Sequence, residues 1–264
     1  MAHINTVKLG VHDNTIVILH GWGQSLEPLR ALGDLLSRFY TVYLLDLPGF
    51  GLSPRPEQDW GTVDYAQCIL KFLDDTGIKK TVLIGHSFGG RVGIRLASRY
   101  PDRLESLVLI NSGGLRPIVK GKRLLRSRLL RLLSKFLKKI DQTFGSRCFE
   151  SWFVPRYGSR DYKNAGELRN ILVKTVNEDI SMDASKVPVK TLLLWGDRDE
   201  ETPVEMGYRL NRLIPNSKLI VLPGKDHFPF LEEGAHLCAT HILRFLKESE
   251  KTAKGQKQGD LASV

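Results

Sequence analysis

Cysteine is scarce in this chain and long apolar runs are missing. Only Cys68, Cys148 and Cys238 occur among 264 residues. An odd, scattered set argues against a disulfide framework, and no pair stands at a metal-ligand spacing. The three are expected to be reduced and packed as small hydrophobes, in a cytoplasmic protein. No stretch approaches the roughly 18 consecutive apolar residues of a membrane span. Met1-Ala2-His3-Ile4-Asn5 has neither a basic start nor an apolar core, so no signal peptide is expected. Dinucleotide chemistry is disfavoured too, because Gly49-Phe50-Gly51 lacks the continuation of the G-x-G-x-x-G fingerprint. No ring of metal ligands is legible, and the expected protein uses no cofactor and no metal.

What is present is an ordinary globular composition, 42% hydrophobic and 26% charged, long enough for one α/β domain with an insertion. Short apolar runs read as strands at 15–19, 40–45, 81–84, 105–110, 190–195 and 218–222. Helical patterns read between them at 27–39, 62–76, 90–99, 204–213 and 235–246. Gly77 stops the second of these, and Pro101 follows the third. Alternation of this kind predicts an α/β fold, a mostly parallel sheet covered on both faces, with right-handed crossovers. Residues 115–185 interrupt it with helices and loops. The expected organisation is a core of 1–114 and 186–248, a helical cap at 115–185 inserted after strand 6, and a disordered tail at 249–264. A cap at that point would overhang the strand ends where open α/β sheets bind ligands.

Gly85-His86-Ser87-Phe88-Gly89 stands between a strand and a helix. A chain that passes from strand to helix without a loop must turn sharply, and it presents the central serine at the top of the sheet. Glycines on both sides let the turn close without a Cβ clash. The helix N-terminus behind Ser87 directs unpaired N–H groups at the group under attack. His20-Gly21-Trp22-Gly23 follows another strand and can bring a second N–H to the same place. The donors expected for a developing oxyanion are the backbone N–H groups of Trp22 and Phe88, with Gly23 as the alternative to Trp22. Two further stretches follow strands, Gly196-Asp197-Arg198-Asp199 and Asp226-His227-Phe228-Pro229.

Together with Asp46-Leu47-Pro48-Gly49-Phe50-Gly51-Leu52-Ser53, these blocks make the chain resemble the α/β-hydrolase fold superfamily, in its group with a serine nucleophile and a helical cap. The resemblance spans residues 15–248 apart from the cap. It implies that Ser87 is the nucleophile, His227 the base and Asp199 the acid that orients it, in the chain order Ser, Asp, His. Asp197 is the alternative acid and otherwise a loop-capping carboxylate. His20, His86, Asp46 and Ser53 are expected to organise loops rather than take part in chemistry.

A serine at the elbow separates this chain from relatives that attack with aspartate. The expected reaction is carboxylic-ester hydrolysis through an acyl-enzyme, on a small to medium acyl substrate. The runner-up is a carbon–carbon hydrolase of the meta-cleavage type. Such enzymes commonly carry Asn before the nucleophile and Trp after the histidine, where this chain has His86 and Phe228. A cofactor-free haloperoxidase or perhydrolase activity, and a ligand receptor without turnover, are further alternatives.

Net charge is +10, and the excess is local. Ten basic residues and no acidic one fall between Arg116 and Lys139. Leu125, Leu129, Leu132, Leu133, Phe136 and Ile140 recur there at helical spacing. The plain reading is a cap helix with a solvated face; the sharper one is contact with anionic lipid or an anionic acyl substrate. Nucleic acid is not expected, since no recognition fold accompanies the charge. Monomer and homodimer are both open.

Overall fold

Alternate residues of each central strand point to opposite faces, and here both faces are apolar. In the computed structural model the described residues are 4–116 and 121–261, with the side chains of 122–124, 127 and 250–261 outside that set. Seven strands form one sheet among them: β1 (Thr6–Leu9), β2 (Thr15–Leu19), β3 (Thr41–Leu45), β4 (Thr81–His86), β5 (Leu104–Ile110), β6 (Thr191–Gly196) and β7 (Ser217–Leu222). Their order is β1-β3-β2-β4-β5-β6-β7. All pairs are parallel except β1 with β3.

Val17 and Leu19 of β2 and Leu83 of β4 face one side, with Tyr65, Ile69, Val92, Leu96 and Leu210. These come from α2 (Thr62–Asp75), α3 (Phe88–Arg99) and α9 (Val204–Leu213). Ile16 and Ile18 of β2 and Ile84 of β4 face the other side, against Leu32, Leu36, Ile242 and Leu246. Those belong to α1 (Arg30–Leu36) and α10 (Gly234–Leu261). Strands buried on both faces read as unbroken apolar runs, which is why they were legible. β1 carries no such signal, because an edge strand with one exposed lysine has no unbroken apolar run.

Between β5 and β6 lie α4 (Gly121–Phe144), α5 (Val154–Tyr157), α6 (Arg160–Asn164), α7 (Arg169–Asn177) and α8 (Ser181–Ala184). The insertion thus follows the fifth strand of this chain, not the sixth, because a single antiparallel strand precedes β2. Its later half is tied to the core. Ile171 and Leu172 of α7 are buried, Ile171 within the main core cluster. Arg91 of α3 donates to the Thr175 carbonyl at 3.0 Å, and Arg95 pairs with Glu178 and Asp183. The first half is separate: Leu130, Leu133 and Leu137 of α4 pack on a small cluster of Phe149, Phe153 and Val154.

α10 runs to Leu261, so the stretch from 249, expected to be disordered, has a helical backbone. Lysine, glutamate, glutamine and alanine there are good helix formers and no proline interrupts them. Among the described residues no helix is long and apolar enough to cross a membrane.

Candidate active site

The strand order reverses at β2, with β3 on one side and β4 on the other, so the crevice opens beyond their C-terminal ends. β4 ends at His86 and α3 begins at Phe88, leaving Ser87 alone to make the turn. Ser87 takes φ +47° and ψ −105°, a strained conformation for a residue with a Cβ. Close packing holds it there. A Cβ on Gly85 would meet the Gly89 carbonyl oxygen at 2.5 Å, and one on Gly89 would meet the Leu19 oxygen at 2.5 Å. The Gly89 N–H donates to the His20 carbonyl at 3.0 Å, which fastens the elbow to the end of β2. The Ser87 carbonyl accepts from Gly90 and Gly113, both at 3.1 Å.

Phe88 opens α3, so its N–H has no acceptor within the helix. Among the described residues, no partner takes the N–H of Phe88, Trp22 or Gly23. The Trp22 ring meets Phe50 and Phe88 edge-on, which fixes the loop after β2 against the elbow.

His227 lies on the loop between β7 and α10. Its Nδ1 is 2.9 Å from Asp199 Oδ2, on the loop after β6. Asp199 also accepts from Asn111 Nδ2 at 2.5 Å, from the Thr202 hydroxyl at 2.6 Å, and from the N–H groups of Glu201 and Thr202 at 2.8 Å. Burial alone would raise the pKa of this carboxyl; hydrogen bonds from His227 and Thr202 outweigh it and hold the value below the usual range. Asp197, two residues earlier, turns away and accepts the Gly224 N–H at 2.7 Å, the capping role. The other nitrogen of His227, Nε2, is 3.3 Å from Glu201 Oε2.

Ser87 and His227 line one cavity of about 330 Å³. Trp22, Gly23 and Gln24 form one wall, and Arg160, Asp161 and Asn164 of α6 form the wall supplied by the insertion. Among the described residues no cluster of three or more His, Cys, Asp or Glu side chains is arranged to hold a metal ion.

Residues 14–234 match the alpha/beta hydrolase fold family. The chain belongs to that family. Its backbone is similar to the crystal structure of a membrane phospholipase A described as a bacterial virulence factor, with TM-score 0.74, 25% identity, and coverage of 95% of this chain and 86% of that one. A putative lipase from Acinetobacter baumannii AYE gives TM-score 0.72 at 24% identity, covering 94% and 89%. A meta-cleavage product hydrolase from Pseudomonas fluorescens IP01 gives 0.69 at 21%, covering 94% and 95%. At such identities the last two share the fold and no more.

The remaining motif residues of this α/β hydrolase organise loops. His20 Nδ1–H donates to the Gly21 carbonyl at 2.7 Å, and its Nε2 accepts the Leu47 N–H at 2.9 Å. Burial lowers its pKa to about 4, so the ring is neutral. His86 donates from Nε2 to the His227 carbonyl at 2.9 Å, and burial followed by the neighbouring His227 lowers its pKa to about 3. Asp46 accepts from Asn5, Leu26 and Leu52 at 2.7–2.9 Å, and Ser53 donates to the Asp46 carbonyl at 2.6 Å.

Three residues around the histidine carry no motif in the sequence. Asn111, at φ +44° just after β5, donates to Asp199 and to the Asp226 carbonyl at 2.8 Å. Thr202 and Glu201 follow Asp199 on its own loop. Asn111 follows a strand directly, as the recognised motifs do, and that position was the one available signal.

Proposed function

We propose that this α/β hydrolase cleaves carboxylic esters through an acyl-enzyme on Ser87. The supporting observation is that Ser87, on a strained elbow, and His227, held by Asp199, line the same cavity. A free serine hydroxyl is a weak nucleophile and needs a base beside it. In this reading Ser87 Oγ attacks the ester carbonyl carbon while His227 Nε2 takes the hydroxyl proton. The N–H groups of Phe88 and Trp22 hold the oxyanion, charge that exists only at and after the transition state. The imidazolium then returns its proton to the leaving alkoxide, and the alcohol departs. Water repeats the sequence on the acyl-enzyme, losing a proton to His227 and releasing the carboxylic acid. Asp199 holds the imidazole with its proton on Nδ1 and stabilises the imidazolium. Glu201, 59% exposed at its side chain, adds a weaker, solvent-screened attraction for the same cation.

The cavity volume lies near the lower end of the range for small-molecule sites, which favours a small to medium acyl group. The test is steady-state hydrolysis of p-nitrophenyl esters from acetate to palmitate, with Ser87→Ala beside the wild type. Serine-dependent turnover with an optimum at short to medium chains is expected. Hydrolysis retained in the purified variant, or no turnover of any ester by the wild type, rules the reading out.

A further inference from the structure

α4 carries more apolar surface than it buries. Leu130, Leu133 and Leu137 pack on the cluster of Phe149, Phe153 and Val154. Leu125, Leu129, Leu132 and Phe136 are instead 62%, 58%, 65% and 61% exposed. At 3.6 residues per turn these four fall within about 60° of arc, in a stripe about 16 Å long. Single exposed apolar side chains are ordinary; three leucines and a phenylalanine aligned on one helix are a patch. On the same wheel, Arg128, Lys135 and Lys139 border the stripe on the side away from the packed leucines. All three are exposed. No acidic residue occurs between 116 and 139. Of the basic run, Lys120 and the side chains of Lys122 and Arg123 lie outside the described residues. On the segment that packs against α4, Trp152 and Tyr157 are exposed as well, with the Arg156 guanidinium 5.1 Å from the Trp152 ring.

We propose that α4 is an interfacial helix that docks the inserted segment on an anionic lipid surface. The exposed stripe enters the boundary between headgroups and acyl chains, while the bordering Lys and Arg stems lie along it and keep their charges at the lipid phosphates. The charge decides among occupants. A stripe bordered by one sign of charge suits an oppositely charged surface better than a second copy of the same basic helix. A nucleic acid would engage the cations and leave the leucines in water. The inference does not depend on the ester reading, since it concerns a face outside the cavity.

Vesicle flotation tests it, with phosphatidylcholine alone and in an equal mixture with phosphatidylglycerol. The full chain is expected to bind the mixed vesicles at least about tenfold more tightly, and about 1 M salt should remove that preference. Two triple variants separate the contributions, Leu129→Ser/Leu132→Ser/Phe136→Ser and Arg128→Gln/Lys135→Gln/Lys139→Gln. Each should lose binding by about tenfold or more, with the melting temperature and hydrolysis of a soluble ester unchanged. If the apolar variant melts early, the charge variant, which leaves every leucine in place, decides alone. Equal binding to both vesicles overturns the proposal, as does wild-type binding by the folded apolar variant. It also fails if a duplex oligonucleotide binds more tightly than the vesicles, or if light scattering finds a dimer that the apolar variant splits.

Discussion

Asp199 Oδ2 stands 2.9 Å from His227 Nδ1, although 28 residues separate the two in the chain. The carboxylate is held from several directions, by Asn111, the Thr202 hydroxyl and two backbone N–H groups. Its position is therefore set before any substrate arrives, and the imidazole inherits that geometry.

Replacing this carboxylate by an amide should remove the preference for the tautomer with its proton on Nδ1. Asp199→Asn is expected to lower kcat on a soluble ester by about 10⁴-fold. Asp197→Asn should change kcat by less than about threefold, since that side chain caps the Gly224 N–H instead. Steady-state kinetics of both variants check this, and the reverse ranking would show that the other aspartate serves the histidine.

Thr202 donates to Asp199, which in turn meets His227, so under the proposed ester reading it is a positioning residue. Thr202→Val keeps the shape and removes the hydroxyl that donates at 2.6 Å to Asp199. A bond to a charged acceptor is worth about 1.5–3 kcal/mol, and the other donors to Asp199 remain. A loss in kcat of about tenfold is expected, with KM nearly constant and with recovery in Thr202→Ser. Unchanged kcat in the valine variant would show that the remaining donors suffice.

The elbow depends on a close approach that only glycine permits. In Gly89→Ala the new Cβ would stand 2.5 Å from the Leu19 carbonyl oxygen. That neighbour is backbone of a central strand and cannot swing aside, so β2 or α3 must shift. A loss of about 1–3 kcal/mol in urea unfolding is expected, with activity falling further as Ser87 moves. A variant as stable and active as the wild type would show that the elbow tolerates a wider turn.

His20 and His86 make stability depend on pH. Both are buried and neutral, with pKa values lowered from 6.5 to about 4 and about 3. Above pH 6.5 neither the folded nor the unfolded state carries the extra protons. Below it the unfolded chain takes them up and the folded chain does not, so stability falls with falling pH. The loss ends near pH 4 for His20 and near pH 3 for His86, at about 1.4 kcal/mol per pH unit for each ring. Asp199, whose pKa is held low, adds its own loss only below the usual carboxylate range. Denaturant midpoints between pH 7 and 4.5 should show this slope, and His20→Gln should roughly halve it. A flat profile would mean that the rings take up protons in the folded state.

Much of the fold was legible because its signals are local. Short, β-branched apolar runs such as Thr81–Ile84, too brief for a helix and followed by glycine, read as strands buried on both faces, and β4 is one. The pentapeptide at Ser87 encodes a strand-to-helix turn through the steric freedom of its own glycines. β1 escaped notice because an edge strand lacks a doubly buried run. The insertion point differs for another reason: one antiparallel strand, β1, precedes β2, so five strands rather than six come before it.

The sequence by itself determined the alternation of strands and helices, the elbow and the residue types gathered beyond the strand ends. These follow from backbone sterics and side-chain periodicity, which act over a few residues. Only the tertiary structure decided which aspartate meets His227, that Asn111 and Thr202 support it, and that Glu201 approaches its far nitrogen. It alone decided which leucines of α4 are covered and which face water. Those outcomes are distances between segments far apart in the chain, and they are set by how the sheet and the inserted helices pack rather than by any local pattern.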